Sequence, residues 1–225
     1  MLRILGYVIA LSISVAASAA GLADISNRDA VNGLKDALVS GSQASVARLG
    51  VEDGFFRNER IKIPLPPSLR SVEAVMRSIG MGRQADELVL RMNRAAEAAV
   101  PEAKTLLHDA VKKMSVQDAK GILTGGDDVA TRYFRNKTES QLHAKFLPIV
   151  TKTVRRLGVV EKYDEFTGKA AALGLTDHPN LEQYVTQKAL DGLFLVMKDE
   201  EKAIRSNPAD YSGKFLKKVF GAVSR

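Results

Sequence analysis

Apolar residues recur every three or four positions along most of the chain, the spacing that places them on one face of an α-helix. The longest such pattern covers 181–206 and follows Asn180, a good N-capping residue. Its middle, residues 189–197, is apolar except for Asp191 and Gly192. A helix that is apolar on nearly every side is normally surrounded by other helices. The pattern therefore predicts a buried helix around which the rest of the chain packs, with Gly192 allowing a neighbour to approach closely.

Shorter amphipathic patterns predict further helices, separated by glycine, proline and capping residues. These helices are expected to begin near Arg28, Ser68, Arg83, Pro101, Ser115, Val129, Thr138 and Val159. Ser115 and Asp118 form a predicted capping box, and Thr138 with Gln141 resembles a second one that would open a new helix. Pro148 is expected to kink or interrupt that helix, because proline lacks the N–H that an interior position needs.

One stretch lacks the helical spacing. Residues 51–67 contain Pro64, Pro66 and Pro67, and the segment before them alternates apolar with other residues. Proline forbids a helix here but tolerates extended backbone at an edge. We expect an extended arm or one short strand laid across the bundle, with Phe55 and Phe56 pinning it down.

These patterns together predict the all-α class. The length of 225 residues suits one domain, and no second composition regime interrupts the chain. We therefore expect a single all-α domain over 20–225, built as a multi-helix bundle around the helix at 181–206. Cysteine is absent from the sequence, which excludes disulfides, thiolate metal sites and cysteine nucleophiles.

The first 19 residues have the composition of a secretory signal peptide. A positive start at Arg3 precedes an apolar run, and Ala17-Ser-Ala19 fits the small-x-small cleavage pattern. The run is shorter than the ~20 residues of a comfortable membrane span. We predict cleavage near Ala19 and a periplasmic or secreted protein, with an uncleaved N-terminal anchor as the alternative.

The positive charge of the chain is modest. Without the signal peptide, 32 Lys and Arg face 26 Asp and Glu, and the doublets along the sequence form no block. We interpret this excess as solvated helix faces; contact with anionic lipid or polysaccharide is the alternative. The amphipathic tail at 211–220 offers a weak peripheral membrane contact, although docking on its own domain is the preferred interpretation. Nucleic acid is not an expected partner of an exported protein.

Five segments occur in an order that resembles a known family: 33–38, 61–66, 92–104, 126–134 and 188–194. They read GLKDAL, IKIPLP, MNRAAEAAVPEAK, GDDVATRYF and KALDGLF. Together they resemble the uncharacterised family of exported bacterial proteins known as domain of unknown function 4197, over nearly all of the chain that follows the signal peptide. The resemblance implies a helical exported protein. It implies no activity and no catalytic or binding residue.

The sequence contains no motif for a nucleophile, a metal or a phosphate. Its three histidines show no ligand spacing, so no metal and no cofactor are predicted. Asp127 and Asp128 follow two glycines, where paired carboxylates could take a hard cation. The acids that a calcium loop carries at later positions are missing, so capping of the next helix is the preferred interpretation.

A second group of polar residues lies on the predicted alanine-rich helix. The group comprises Arg91, Asn93, Arg94 and Glu97. The spacing of Glu87 with Arg91 and of Arg94 with Glu97 favours ordinary ion pairs. The alternative is that these residues turn inward beside Tyr133 and Arg135 and form a polar pocket for an anionic ligand.

The leading functional hypothesis is a non-enzymatic cell-envelope module that binds an envelope protein or a small ligand. It depends on the predicted signal peptide, the helical pattern and the lack of catalytic motifs. The alternatives are a hydrolase that acts on an envelope component through Glu97, Asp127 or Asp128, and a peripheral binder of anionic lipid.

Overall fold

The computed structural model describes residues 27–80, 82–158 and 180–207, and within them the chain forms α-helices and two short 3₁₀ segments without any β-strand. The α-helices are α1 (Asn27–Leu49), α2 (Arg70–Ser78), α3 (Gly82–Ala99), α4 (Ala103–Lys112), α5 (Val116–Leu123), α6 (Val129–Arg156) and α7 (Leu181–Ser206). The 3₁₀ segments, Pro67–Leu69 and Val100–Glu102, lead into α2 and α4. The predicted all-α class is therefore confirmed.

Helix α7 occupies the central position that its apolar pattern predicts. The Asn180 side chain accepts a hydrogen bond from the Gln183 N–H at 2.8 Å and so caps the first turn. The helix packs against α1, α3 and α6. The buried apolar side chains of these four helices form one continuous cluster. A Cβ at Gly192 would lie 2.6 Å from Cε1 of Phe55. The predicted close approach at Gly192 is confirmed, and the neighbour that approaches is the arm before α2.

The arm at 51–66 consists of turns followed by extended backbone. It buries the side chains of Phe55, Ile63 and Leu65 against the helices, whereas Phe56 is half-buried. The Tyr184 hydroxyl on α7 donates to the carbonyl oxygen of Pro64 at 3.1 Å. The predicted extended arm is confirmed, and the alternative of a short strand is not formed in the described chain.

Several helix starts follow the local sequence signals. Pro101 lies in the 3₁₀ turn that opens α4, where its missing N–H costs no helical hydrogen bond. Ser115 and Asp118 form the predicted capping box at α5, each side chain bonding to the backbone N–H of the other residue. Gly80, with φ of +81°, follows the end of α2 in the left-handed conformation that glycine adopts without strain.

Helix α6 corrects the predicted helix start at Thr138 and the predicted break at Pro148, whereas the alternative of a kink at Pro148 stays a prediction. Thr138 does not open a new helix but lies buried inside α6, where its hydroxyl donates to the Phe134 carbonyl at 2.7 Å. Pro148 lies inside the same helix without interrupting it. Pro148 and Ala144, the residue four positions earlier, are both exposed, so water can satisfy the carbonyl that proline leaves without a donor.

Some predictions concern residues outside the described chain. They are the signal peptide at 1–19, the helix expected from Val159 to Leu173 and the tail at 211–220.

Candidate functional site

The eight candidate residues divide between two places in the fold. Arg91, Asn93, Arg94 and Glu97 lie on α3, whereas Asp127, Asp128, Tyr133 and Arg135 lie at or just before the start of α6. Within the described chain, no hydrogen bond or ion pair joins the two groups. They do not form the single polar pocket considered as an alternative from the sequence.

Asn93 holds the arm in its extended conformation. Its side chain is fully buried, and its Oδ1 accepts from the Ile63 N–H at 2.9 Å while its Nδ2 donates to the Ile63 carbonyl at 2.9 Å. Nδ2 also donates to the Val89 carbonyl at 2.7 Å. One side chain thus satisfies both backbone groups of Ile63, as a neighbouring strand would. The role of Asn93 in this structure is to fasten the arm.

Glu97 fastens the earlier part of the arm. Its Oε1 accepts from the N–H groups of Phe55 and Phe56 at 3.0 and 3.1 Å. Its Oε2 lies 2.7 Å from Nη1 of Arg94, and Arg94 in turn reaches Asp53 at 2.7 Å. The predicted Arg94–Glu97 pair is confirmed, although Glu97 is buried rather than exposed. Both oxygens of this carboxylate are therefore occupied by structural contacts.

Arg91 joins α3 to the end of α6. It pairs with Glu87, as their spacing predicts, and its guanidinium donates to the carbonyl oxygen of Leu157. Leu157 is the C-cap of α6, where carbonyls lack helical donors and a cation is favoured. Arg91 is thus a structural residue as well.

The start of α6 is capped by a residue that sequence reasoning missed. Asp128 occupies the N-cap position, as predicted, but its side chain makes no capping hydrogen bond. The buried Glu201 of α7 provides that cap instead, accepting from the N–H groups of Ala130 at 3.0 Å and Thr131 at 2.8 Å. The prediction that Asp127 or Asp128 caps the next helix is thus confirmed for the position of Asp128, but the capping hydrogen bonds come from Glu201. Only the chain fold brings Glu201 to this helix end, 70 residues away in sequence.

Arg205 completes this contact one helical turn beyond Glu201. Its Nη2 lies 2.9 Å from the carboxylate of Glu201 and donates at 2.9 Å to the carbonyl oxygen of Ile122, near the end of α5. Arg205 thus donates to a carbonyl at the end of α5, and Glu201 accepts from N–H groups at the start of α6. The two helix ends lie on either side of the glycine-containing turn at 124–128. The i,i+4 spacing of Glu201 and Arg205 was the available sequence signal, although it does not reveal what the pair contacts.

A groove between the first turns of α6 and the middle of α7 is the strongest candidate binding site. Its volume is about 360 Å³. It is lined by Asp128, Thr131, Arg132, Arg135, Asp191, Phe194, Leu195 and Lys198. The half-buried side chain of Leu195 provides the apolar surface of the groove, above the buried ring of Phe194, and the charged side chains form the rim. Two predicted candidates, Asp128 and Arg135, lie in this groove.

The rim of the groove holds more positive than negative side chains. Arg132 and Lys198 both pair with Asp128, the lysine at 3.2 Å. Arg135 lies 3.5 Å from Asp191, and its guanidinium lies 4.7 Å from the centre of the Phe194 ring. The hydrogen bond from Lys198, followed by the nearby positive charges, lowers the pKa of Asp128 below its usual value. Asp128 is therefore ionised at neutral pH, and two cations share its single charge.

The other two candidates near the start of α6, Tyr133 and Asp127, do not line the groove. The Tyr133 hydroxyl donates to the Ala110 carbonyl at 3.3 Å, on the side of α6 that faces α4. There it borders a separate cavity of about 290 Å³, and partial burial raises its pKa. Asp127 is exposed in the turn before α6.

Two kinds of feature are absent from the described residues, a metal-ligand cluster and a membrane-spanning helix. No group of His, Asp and Glu side chains there is arranged to hold a metal ion. Among the same residues, no helix combines the length and the apolar content that a membrane crossing requires.

The described chain is a multi-helix bundle with a surface groove whose rim is charged. The chain belongs to the family described as "Protein of unknown function (DUF4197)", whose model matches residues 24–221. Comparisons with curated proteins and with solved structures found no match.

The structure explains how segments that carry the family resemblance fit together. Segment 92–97 on α3 holds the arm segment 61–66 through the side chain of Asn93. Segments 126–134 and 188–194 line the same groove from α6 and α7. The groove is thus built largely from two of the segments by which the chain resembles its family.

Proposed function

We propose that this protein is a non-enzymatic, exported binding module of the cell envelope and that the groove between α6 and α7 holds its ligand. The observation that carries the proposal is the apolar surface of Leu195 beneath a rim on which Arg132 and Lys198 share one carboxylate. Binding sites commonly combine an apolar surface with a few charged groups that orient the ligand.

The chemistry of the groove favours a small amphiphilic anion. An acidic group on the ligand would meet Arg132 and Lys198, whose charges Asp128 alone does not balance. The apolar part of the ligand would cover Leu195. A segment of an envelope protein with an acidic residue beside apolar ones has the same chemistry and is the second kind of occupant to test.

The alternative of a hydrolase receives less support from the carboxylates. A general acid or base must reach the substrate and usually has a shifted pKa. The oxygens of Glu97 are occupied by the arm and Arg94, and Asp128 has a lowered pKa that makes it a poor proton donor. Asp127 is exposed and does not line the groove.

The envelope location is proposed from the signal peptide expected at residues 1–19. It is tested by N-terminal sequencing of the protein recovered from the periplasm of its own host, which should begin near Ala20. An N-terminus at Met1 would contradict the export proposal.

Native mass spectrometry of the same sample tests the groove. We expect a retained small molecule that is released on denaturation and is acidic. The variant Leu195→Trp, which fills the groove from a half-buried position, should lose that molecule while remaining folded. The matched control is Val116→Trp on α5, where the side chain is 56% exposed and lies outside the groove. Retention of the molecule by Leu195→Trp would contradict the assignment of the groove.

A further inference from the structure

Helix α6 carries a large excess of positive over negative side chains. It carries seven Lys and Arg side chains and only one carboxylate, Glu139. The whole chain has a formal net charge of +7, so the excess of this single helix nearly equals it. The sequence had indicated a dispersed positive charge, but the net excess of the chain is concentrated on this helix.

The second half of α6 presents this charge on one exposed face. Leu142, Phe146, Val150 and Val154 recur every four residues and are fully buried. Four exposed cations of the same half, Lys145, Lys152, Arg155 and Arg156, form what we call the basic face. The face extends over about 16 Å, because an α-helix rises about 1.5 Å per residue.

The charges of the basic face are not neutralised within the described chain. Glu139 pairs with Arg135, which belongs to the groove at the other end of the helix. No ion pair joins any of the four cations to a described carboxylate. Lys137, by contrast, lies beside Asp118 in the cavity next to α5 and is left out of the basic face.

We propose that the basic face binds the anionic surface of a phospholipid bilayer, with α6 lying parallel to the membrane plane. Lys and Arg near an anionic membrane each contribute about 1 kcal/mol of attraction, so four cations in one line give useful affinity. The exposed residues beside them, Gln141, Ala144 and Pro148, include no large apolar side chain. The contact is therefore electrostatic, at the level of the headgroups, and does not involve insertion.

The residues of this face favour a bilayer over a nucleic acid. Proteins that bind single strands stack bases on aromatic side chains, and those that read a duplex place polar side chains against base edges. The exposed side of α6 between 140 and 156 has no aromatic residue, and its cations are spread along the helix instead of surrounding one phosphate. A planar array of headgroups matches that spacing. This proposal is independent of the groove and of its ligand.

The test is co-sedimentation of the full chain with phosphatidylcholine vesicles that contain phosphatidylglycerol. We expect binding that weakens as salt is raised, since screening shortens the range of surface charges. The double variant Lys145→Glu with Lys152→Glu should bind at least about tenfold more weakly. Vesicles of phosphatidylcholine alone report any binding through the apolar N-terminal residues, which the variant does not change.

A matched control changes the same charge elsewhere. Lys120 on α5 and Lys202 on α7 are both exposed and lie near the start of α6, where Glu201 and Arg205 join these helices. The double variant Lys120→Glu with Lys202→Glu should retain most of the vesicle affinity. Cations in the last turn also stabilise the helix itself, so melting temperatures are measured for both variants. If the Glu variant does not fold, Lys145→Gln with Lys152→Gln takes its place.

Three outcomes would overturn the proposal. The first is that the chain does not bind the anionic vesicles at low salt. The second is that both double variants lose affinity equally, which would make net charge and not the basic face responsible. The third is salt-dependent binding to a DNA or polysaccharide column, sensitive to Lys145→Glu with Lys152→Glu, without binding to vesicles.

Discussion

Single buried side chains decide how the irregular arm is attached to the helices. Asn93 replaces a neighbouring strand by bonding both backbone groups of Ile63, and Glu97 accepts from two successive N–H groups at Phe55 and Phe56. The arm can therefore be extended and buried without leaving those backbone groups unsatisfied. Gly192 provides the space on α7 against which Phe55 packs.

Gly192 gives the sharpest prediction at the level of one residue. Gly192→Leu should lower the free energy of unfolding by about 3 kcal/mol or more, because even its Cβ would overlap the ring of Phe55. The matched control is Gly121→Leu in α5, where a Cβ meets no atom within 4 Å. There the better helix propensity of leucine should raise stability by up to about 1 kcal/mol. Urea denaturation followed by circular dichroism measures both, and equal effects would show that the arm does not pack on Gly192.

At the level of elements, side chains from one helix form hydrogen bonds with the backbone groups at the end of another. Glu201 of α7 caps α6, Arg205 of α7 reaches the end of α5, and Arg91 of α3 reaches the end of α6. A cap supplied from another helix couples the formation of the two elements, since neither end is fully satisfied until both are in place.

Because Glu201 caps α6, its replacement should destabilise the protein more than replacement of Asp128 does. Glu201→Ala should cost about 3 kcal/mol, because it removes a buried acceptor from two N–H groups and leaves Arg205 without that partner. Asp128→Ala should cost clearly less, since its side chain makes no capping hydrogen bond. Thermal and urea unfolding of the two variants provide the comparison. A larger loss in Asp128→Ala would restore the capping mechanism expected from the sequence.

The whole molecule is organised around α7, which packs on α1, α3 and α6 and receives the arm. Helix α2, in contrast, packs mainly on α3 and leaves Val75 and Ile79 substantially exposed. Within the described chain, α7 thus packs against three other helices, whereas α2 packs mainly against one. Its two proposed surfaces, the groove and the basic face, occupy different parts of α6.

Because α7 packs on more helices than α2 does, a substitution in α7 should change stability and hydrogen exchange over a larger part of the protein. Leu193→Ala removes a fully buried side chain of α7 and should cost about 2–5 kcal/mol. Hydrogen exchange should then become faster in α1, α3 and α6 together, because these helices share the α7 core. Val75→Ala should affect exchange in α2 alone. Faster exchange confined to α7 in the Leu193→Ala protein would contradict a shared core.

The sequence by itself determined what depends on neighbours along the chain. Helical spacing predicted α7, the capping box at Ser115 marked the start of α5, and the prolines excluded a helix in the arm. These signals are local, because hydrogen bonds and side-chain directions in a helix repeat within four residues. Thr138 shows the limit of such signals, since its hydroxyl bonds backwards inside α6 instead of starting a helix.

Only the tertiary structure decided what depends on residues far apart in the chain. It placed Glu201 at the start of α6, separated the candidate residues of α3 from those of α6, and brought Phe194 of α7 beneath Arg135 of α6 to form the groove. It also showed that the four cations in the second half of α6, of the seven that the helix carries, are exposed. A sequence specifies the spacing of such residues but not which element covers them, because packing is settled by apolar surfaces that meet only in the folded chain.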